Sequence, residues 1–129
     1  ARSALALGNL ERAVMDTLWD QGEMSGNELF NLLGEKLKIR HNTLLTVCVR
    51  LESKGLVSKL KKGKYSYYSP LLSRDEFGEK VAGPLLKELM EVSSDSALAA
   101  FVDNASRDPD KLNYLKSLIE EAEKKKKWQ

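Results

Sequence analysis

The apolar residues in the first third of the chain recur with the period of an α-helix. The first such stripe predicts a helix over about 9–20, which Gly22 ends. Ser25, with Glu28 three residues later, forms a capping box that opens a second helix, which extends to about Lys38. The two apolar faces consist of Leu7, Leu10, Val14 and Leu18 in the first helix, and Leu29, Leu32, Leu33 and Leu37 in the second.

A third helix is predicted over about 41–54, between His41 and Gly55. Its apolar stripe, which we expect to pack against the other two helices, is Leu44, Val47, Cys48 and Leu51. The opposite side and its edges carry the polar residues Asn42, Thr43, Thr46, Arg50 and Ser53. The third helix therefore buries one side and exposes hydrogen-bonding groups on the other.

After Gly55 the hydrophobic period changes from that of a helix to that of a strand. Two short strands are predicted, over 56–60 and 65–68, and a tight hairpin joins them. Three short helices followed by a two-stranded ribbon is the order of a winged helix-turn-helix. We place this domain at residues 1–72, with the hairpin, or wing, at about 56–69.

The remaining residues, 73–129, are predicted to be helical, beginning with a capping box at Ser73. The Gly83-Pro84 pair is expected to kink or break this helix, because proline removes a helical hydrogen bond. Asp95 is expected to cap a further helix, and Pro109 to begin the last one. The predicted fold class is therefore mainly α with a small β-hairpin, an N-terminal winged helix-turn-helix followed by a C-terminal helical region.

Basic residues concentrate between residues 36 and 64, where nine lysines and arginines stand against the single acid Glu52. Such a density is expected of a surface that meets phosphates, although charge alone is equally consistent with a solvated basic face. The third helix and the hairpin lie within this stretch. The candidate DNA-binding residues are Arg40, His41, Asn42, Thr43, Thr46, Arg50, Lys61, Lys62 and Lys64. For the hairpin lysines, the alternative is a charged sheet edge that prevents strand aggregation.

Other classes of function find little support in the sequence. It contains one His and one Cys, no glycine-rich phosphate loop and no Cys/His set with metal-ligand spacing. We therefore expect neither an enzyme nor a bound metal or cofactor. No apolar run approaches the roughly 18 residues that a membrane span needs, so no membrane association is expected. Cys48 cannot form an internal disulfide, and a cytoplasmic location is the expectation.

Two stretches of the chain resemble the penicillinase repressor family, the BlaI/MecI type. They are residues 7–19 (LGNLERAVMDTLW) and 42–57 (NTLLTVCVRLESKGLV), and residues 65–76 are similar too. Part of the second stretch recurs in many winged helices, whereas the first stretch paired with it is much more specific. The resemblance extends over roughly 7–105.

This resemblance implies a homodimeric transcriptional repressor that binds a palindromic operator in double-stranded DNA. The third helix is then the recognition helix in the major groove, and the basic hairpin contacts the DNA backbone. The C-terminal helical region, 73–129, is then the dimerisation region, through Leu85, Leu89, Leu112, Leu115, Leu118 and Ile119. The alternative is a winged helix that binds another protein instead of DNA.

The best-known members of that family are inactivated by proteolysis between Asn and Phe in the C-terminal region. The matching segment here is Ala99-Ala100-Phe101, with no asparagine before Phe101. The resemblance thus marks Ala100 and Phe101 as a candidate regulatory cleavage region and a regulatory protease as a candidate partner. The changed residue argues against the same proteolytic switch.

Overall fold

Three helices occupy the first part of the described chain, and local hydrogen bonds account for their ends. The computed structural model describes residues 7–127, with every side chain except those of residues 93, 94 and 127. The helices are α1 (Asn9–Gln21), α2 (Gly26–Leu37) and α3 (His41–Ser53). Gly22 ends α1 with a φ of +83°. The predicted capping box is confirmed, since Glu28 N donates to Ser25 Oγ (3.1 Å) and Ser25 N donates to Glu28 Oε1 (3.0 Å).

The wing belongs to a three-stranded antiparallel sheet, although the sequence predicted two strands. Its strands are β1 (Met24–Ser25), β2 (Val57–Lys62) and β3 (Tyr65–Pro70), in the order β1-β3-β2. In the hairpin, β2 extends two residues further than predicted, and the turn contains Gly63 with a φ of +64°. The residues that join α1 to α2 form β1, in which Met24 pairs with Tyr68. This strand ties the base of the wing to the helices.

One apolar core joins the three helices to the sheet. Its fully buried members include Leu18 of α1, Leu29 of α2 and Leu51 of α3. Leu32, which was expected on the apolar face of the second helix, is half exposed instead. Within the part of the chain that the structure describes, the buried apolar residues are Val14, Met15, Leu18, Met24, Leu29, Leu33, Leu44, Val47, Cys48, Leu51, Leu56, Val57 and Tyr68. The predicted burial of the third helix is therefore confirmed, and the fold is a winged helix-turn-helix.

The C-terminal part consists of two helices, α4 (Arg74–Ala105) and α5 (Pro109–Lys127). Because α4 is continuous, the expected break at Gly83-Pro84 and the separate helix capped by Asp95 are wrong. Proline costs the one hydrogen bond that its nitrogen cannot donate, and so long a helix keeps the bonds on either side. A kink at Pro84 stays a prediction. The predicted start at Pro109 is confirmed, with Asp108 Oδ1 accepting a hydrogen bond from Asp110 N (3.0 Å).

The chain divides into two compact units between Gly83 and Pro84. The first turns of α4 belong to the first unit, since Trp19 Nε1 donates to Leu72 O (2.9 Å) and the Trp19 ring lies 5.4 Å from that of Phe77. The domain boundary after residue 72 stays a prediction, and residues 1–6 and 128–129 of the predicted domains lie outside the described residues. None of the helices within 7–127 has the length and apolar character to cross a bilayer.

Candidate nucleic-acid interface

Helix α3 presents a continuous polar surface on the side away from the core. Leu44, Val47 and Leu51 are buried among the other helices. The exposed residues of α3 include four of the predicted DNA-binding residues, namely Asn42, Thr43, Thr46 and Arg50. The orientation expected from the sequence is therefore confirmed. The hydroxyl of Thr46 donates to Asn42 O (2.9 Å), so its oxygen stays free to accept while its hydrogen serves the helix.

The first turn of α3 is held by α2. The N-cap residue Arg40 is exposed and makes no side-chain hydrogen bond to the helix. The half-buried ring of His41 lies edge-on to Phe30, with the centroids 5.2 Å apart, and its Nε2 is 3.2 Å from Asn27 Oδ1. His41 thus has a structural role in seating the helix, in addition to its position at the polar surface.

The last turn of α3 is held by α1 through an ion pair that the sequence did not suggest. Lys54 Nζ lies 2.7 Å from Glu11 Oε2, and the two side chains are 24% and 12% exposed. Burial raises the pKa of Glu11, but Lys54, the Gly8 N–H and the charge of Arg50 together outweigh burial and lower it. Glu11 is therefore held in its ionised form at the base of the polar surface.

The lysines of the wing point to two different faces of the sheet. Side chains alternate along a strand, and directly paired residues of an antiparallel sheet share a face. Lys59 pairs with the buried Tyr68 and Lys61 pairs with Ser66, and we call this side the front face. Lys62 pairs with Tyr65 on the opposite side, the back face. The adjacent residues Lys61 and Lys62 therefore cannot meet the same ligand surface in this conformation.

A groove of about 440 Å³ lies between α3 and the wing. Its apolar part is formed by Leu45 and Val49 of α3, and its basic part by Lys59 and Lys64. The remaining lining residues are Gly26, Asn27, His41, Tyr65, Ser66 and Tyr68. The groove brings the predicted recognition helix and the predicted wing together around one open, positively charged channel.

Comparison with known proteins decides the family. The chain matches the penicillinase repressor family over residues 7–121. It belongs to that family. The transcriptional regulator BlaI of Mycobacterium tuberculosis is 34% identical over 107 residues, which span 79% of this chain and 75% of that protein. The penicillinase repressor of Bacillus licheniformis is 23% identical over 121 residues, 94% of each chain.

A solved structure bears on the fold. The DNA-binding domain of the repressor BlaI matches with a TM-score of 0.52 at 22% sequence identity, covering 59% of this chain and 93% of that one. Family membership confirms the predicted repressor class and the expectation that the chain is not an enzyme. The likeness to the BlaI domain supports the winged-helix fold.

Within this repressor, Lys62 is engaged by groups of its own chain. Its Nζ lies 2.6 Å from Glu23 Oε1 and 5.1 Å from the centroid of the Tyr67 ring, while Ser69 Oγ donates to Glu23 Oε2 (3.0 Å). The hydrogen bond from Lys62 lowers the pKa of Glu23, and the same bond raises the pKa of Lys62. Glu23 precedes β1, so this pair braces the wing against the loop after α1.

The single cysteine of the repressor belongs to its core. Cys48 is buried in the stripe that α3 turns inward, and burial raises the pKa of its thiol to about 11 although the charge of Lys59 acts in the opposite direction. A thiol of this kind is a poor nucleophile at neutral pH. In the part of the chain that the structure describes, no three His, Cys, Asp or Glu side chains are grouped so that they could hold a metal ion.

The predicted dimerisation residues lie in the second unit and are at least partly accessible. Leu112 and Leu115 are half buried, whereas four are exposed, namely Leu85, Leu89, Leu118 and Ile119. A groove of about 410 Å³ runs between the end of α4 and α5. This groove is lined by Phe101, Tyr114 and Leu118, and Ala100 precedes Phe101 in α4. The candidate cleavage region is thus helical and borders an apolar groove.

Sequence reasoning missed several residues of this interface. Glu11 and Glu23 act through ion pairs with residues 43 and 39 positions away, and no local pattern indicates such pairs. Lys59 was counted in the basic stretch but not assigned to the site. Leu45 borders the buried stripe of α3 and Val49 lies among its exposed residues, and the four-residue spacing from His41 would have placed both on one line.

Proposed function

We propose that this chain is a homodimeric, sequence-specific DNA-binding repressor that places α3 in the major groove and the front face of its wing on the DNA backbone. The observation that carries this proposal is the groove between α3 and the wing, where a polar helix face stands beside lysines on an open channel. Double-stranded DNA is a ligand that fits this surface. Its base edges can form hydrogen bonds with the polar residues of α3, and its phosphates can pair with the lysines.

Base recognition is assigned to the exposed face of α3. Asn42 and Arg50 carry the amide and guanidinium groups that form paired hydrogen bonds with adenine and guanine in the major groove. Thr46 contributes an acceptor, since its hydroxyl hydrogen is used by the helix. Thr43 and Arg40, at the start of the helix, are assigned to the neighbouring phosphates.

Backbone contact is assigned to the front face of the wing. Lys59, Lys61 and Lys64 lie on that face or at the turn beside α3. Lys62 was predicted to contact DNA, and its ion pair with Glu23 on the back face favours a bracing role instead. The wing contacts are sequence-independent, because phosphates are the same at every position.

The second unit is assigned to dimerisation. Exposed apolar residues recur along α4 and α5, among them Leu89, Leu118 and Ile119, and a second copy of the chain would cover them. A two-fold dimer of winged helices requires two half-sites related by the same symmetry, which makes the operator palindromic.

The proposed regulatory protease would cut within α4. Ala100 and Phe101 lie within α4, and proteolysis acts on locally opened chain rather than on an intact helix. Limited proteolysis with and without operator DNA tests whether this segment opens. Preferential cleavage beside Phe101 supports a regulatory role, and uniform resistance contradicts it.

The decisive experiment combines selection with salt dependence. Binding fragments are selected from random duplexes, and the affinity for the consensus is then measured between 50 and 200 mM salt. A dimer that neutralises about 6–10 phosphates should lose about 10³–10⁵ in affinity over this range. A two-fold symmetric consensus with that slope supports the proposal. Absence of duplex binding at low salt supports a protein-binding winged helix instead.

Lys61 and Lys62 provide a matched pair of variants within the same hairpin. Lys61→Ala should weaken binding to all duplexes and reduce the salt slope by about 0.9 for each phosphate that the variant no longer neutralises. Lys62→Ala should change the slope less, because Lys62 already has Glu23 as a partner. Equal changes in the two variants would show that Lys62 leaves Glu23 and contacts DNA.

A further inference from the structure

A line of three residues on α3 faces the wing and differs in character from the polar face beside it. His41, Leu45 and Val49 are spaced four residues apart, so they form one row along the helix, and all three line the groove. The neighbouring row, Asn42, Thr46 and Arg50, is polar. Two of the three residues in the row that faces the wing, Leu45 and Val49, are therefore apolar. They lie in the part of α3 that the proposed function places in the major groove.

This apolar row is not part of the core. Val49 is 51% exposed, and neither Val49 nor Leu45 belongs to the buried cluster. Leu45 lies over Gly26, where an added Cβ would be 3.3 Å from Leu45 Cδ2, so the close approach of α2 holds Leu45 in place. The groove thus keeps an apolar floor that is in contact with water, between the polar row of α3 and the lysines of the wing.

The rim of the groove restricts what the apolar floor can receive. Lys59 and Lys64 lie on its wing side, so an occupant must combine negative charge at the rim with an apolar group at the floor. Duplex DNA has this combination, because the C5-methyl of thymine is the apolar group of the major groove and lies between phosphate backbones.

We propose that Leu45 and Val49 recognise thymine by contact with its methyl group, at operator positions between those met by the polar face of α3 and the phosphates met by the wing. This assignment rests on the proposed function and adds a specificity-determining pair of residues to it. Val49 is the more exposed of the two and makes the principal contact, while Leu45 shapes the floor beside it.

The test removes methyl groups first from the DNA and then from the protein. Starting from the selected operator, each thymidine is replaced singly by 2′-deoxyuridine, which differs by the C5-methyl alone. For the unsubstituted chain, at least one replacement in each half-site should weaken binding about fourfold, as expected for one buried methyl group. The thymidine with the largest effect is then examined with variants of the protein.

Val49→Ala should weaken binding to the thymidine operator and reduce the deoxyuridine effect at that position to less than about twofold, which is the coupling expected of two groups that touch. Leu32→Ala is the matched control, since Leu32 is also 51% exposed but lies on α2 outside the groove. This control should keep the full fourfold effect. Circular dichroism and thermal unfolding verify that the variants remain folded.

The outcomes separate this inference from the proposed function. If selection yields no preferred duplex, both are overturned. If a symmetric operator is found but no thymidine responds to loss of its methyl, or the response persists unchanged in Val49→Ala, the repressor function stands and thymine recognition by this row is wrong. A response that disappears in Val49→Ala and is kept in Leu32→Ala supports the assignment.

Discussion

The two units of this chain differ in how far their apolar side chains are buried. All thirteen buried apolar side chains of the described chain lie in the first unit, between Val14 and Tyr68. In the second unit none of the described side chains is buried, and Leu118 and Ile119 remain 40% and 50% exposed. The first unit therefore has a buried core of its own, whereas the described apolar side chains of the second unit remain at least partly accessible.

The number of packed layers explains this difference. The first unit surrounds one core with three helices and a sheet, so side chains such as Leu51 have neighbours on every side. The second unit consists of α5 and the part of α4 after Gly83, and two helices alone cannot enclose a side chain. The unit that carries the proposed DNA surface thus encloses its own core, and under the proposed function a second copy of the chain covers the apolar side chains of the other unit.

The largest expected effect concerns association. Leu118→Glu places a charge in the apolar groove of the second unit and should convert the proposed dimer to a monomer. Operator affinity should then fall by about 10³ or more, because a monomer keeps one half-site and loses much of the gap between specific and non-specific binding. Sedimentation equilibrium and gel-shift titration measure the two effects on the same protein.

Asn113→Glu serves as the matched control for this variant. Asn113 is exposed on α5, five positions from Leu118, and therefore faces a different side of the helix. The control should remain dimeric and bind the operator normally. A Leu118→Glu protein that is still dimeric would show that the second unit associates through another surface.

The second prediction compares the two units by their dependence on protein concentration. Leu18 is fully buried in the first unit, so Leu18→Ala should lower the free energy of unfolding by about 2–5 kcal/mol through reduced burial and the cavity left behind. Urea titrations at several protein concentrations should show the same decrease in the transition of the first unit. A decrease that grows on dilution would mean that the first unit also depends on the dimer.

Sequence patterns best predicted the structural features that depend on residues close together in the chain. The capping box at Ser25 and the start of α5 at Pro109 depend on neighbours along the chain, and both were found in place. The buried stripe of α3 follows from helical period in the same way. Strand β1 was missed because two residues carry no period of their own and become a strand by pairing with β3.

The remaining differences between the sequence predictions and the structure have two causes. Some depend on contacts between residues that are distant in the sequence, and others on a local effect that the rest of a helix outweighs. Proline predicted a break at Pro84, but a helix of 32 residues keeps its hydrogen bonds on both sides of the one that Pro84 cannot donate. The sequence shows Lys62 only as a second lysine beside Lys61 in the wing. The pairing of Lys62 with Glu23 depends on the fold, in which β3 brings Ser69 close to the loop before β1.

The smallest expected effect extends the comparison to ion pairs. Glu11→Gln removes the partly buried pair with Lys54 in the first unit and should lower the free energy of unfolding by about 1–3 kcal/mol at pH 7, because buried polar groups lose a charged partner. In the second unit, Asp103 and Arg107 lie 4.0 Å apart and are almost fully exposed. Asp103→Asn should therefore leave stability unchanged within the error of a urea titration.

The pH dependence of these variants identifies the cause. The pKa of Glu11 is lower in the folded chain than its ordinary value of 4.5, so its contribution is present above that value and is lost as the pH falls through the folded-state pKa. The stability difference between the wild type and Glu11→Gln should therefore shrink as the pH is lowered below 4.5 and should not change above pH 6. A difference that stays constant at low pH would mean that Glu11 stabilises α3 by packing and not by charge.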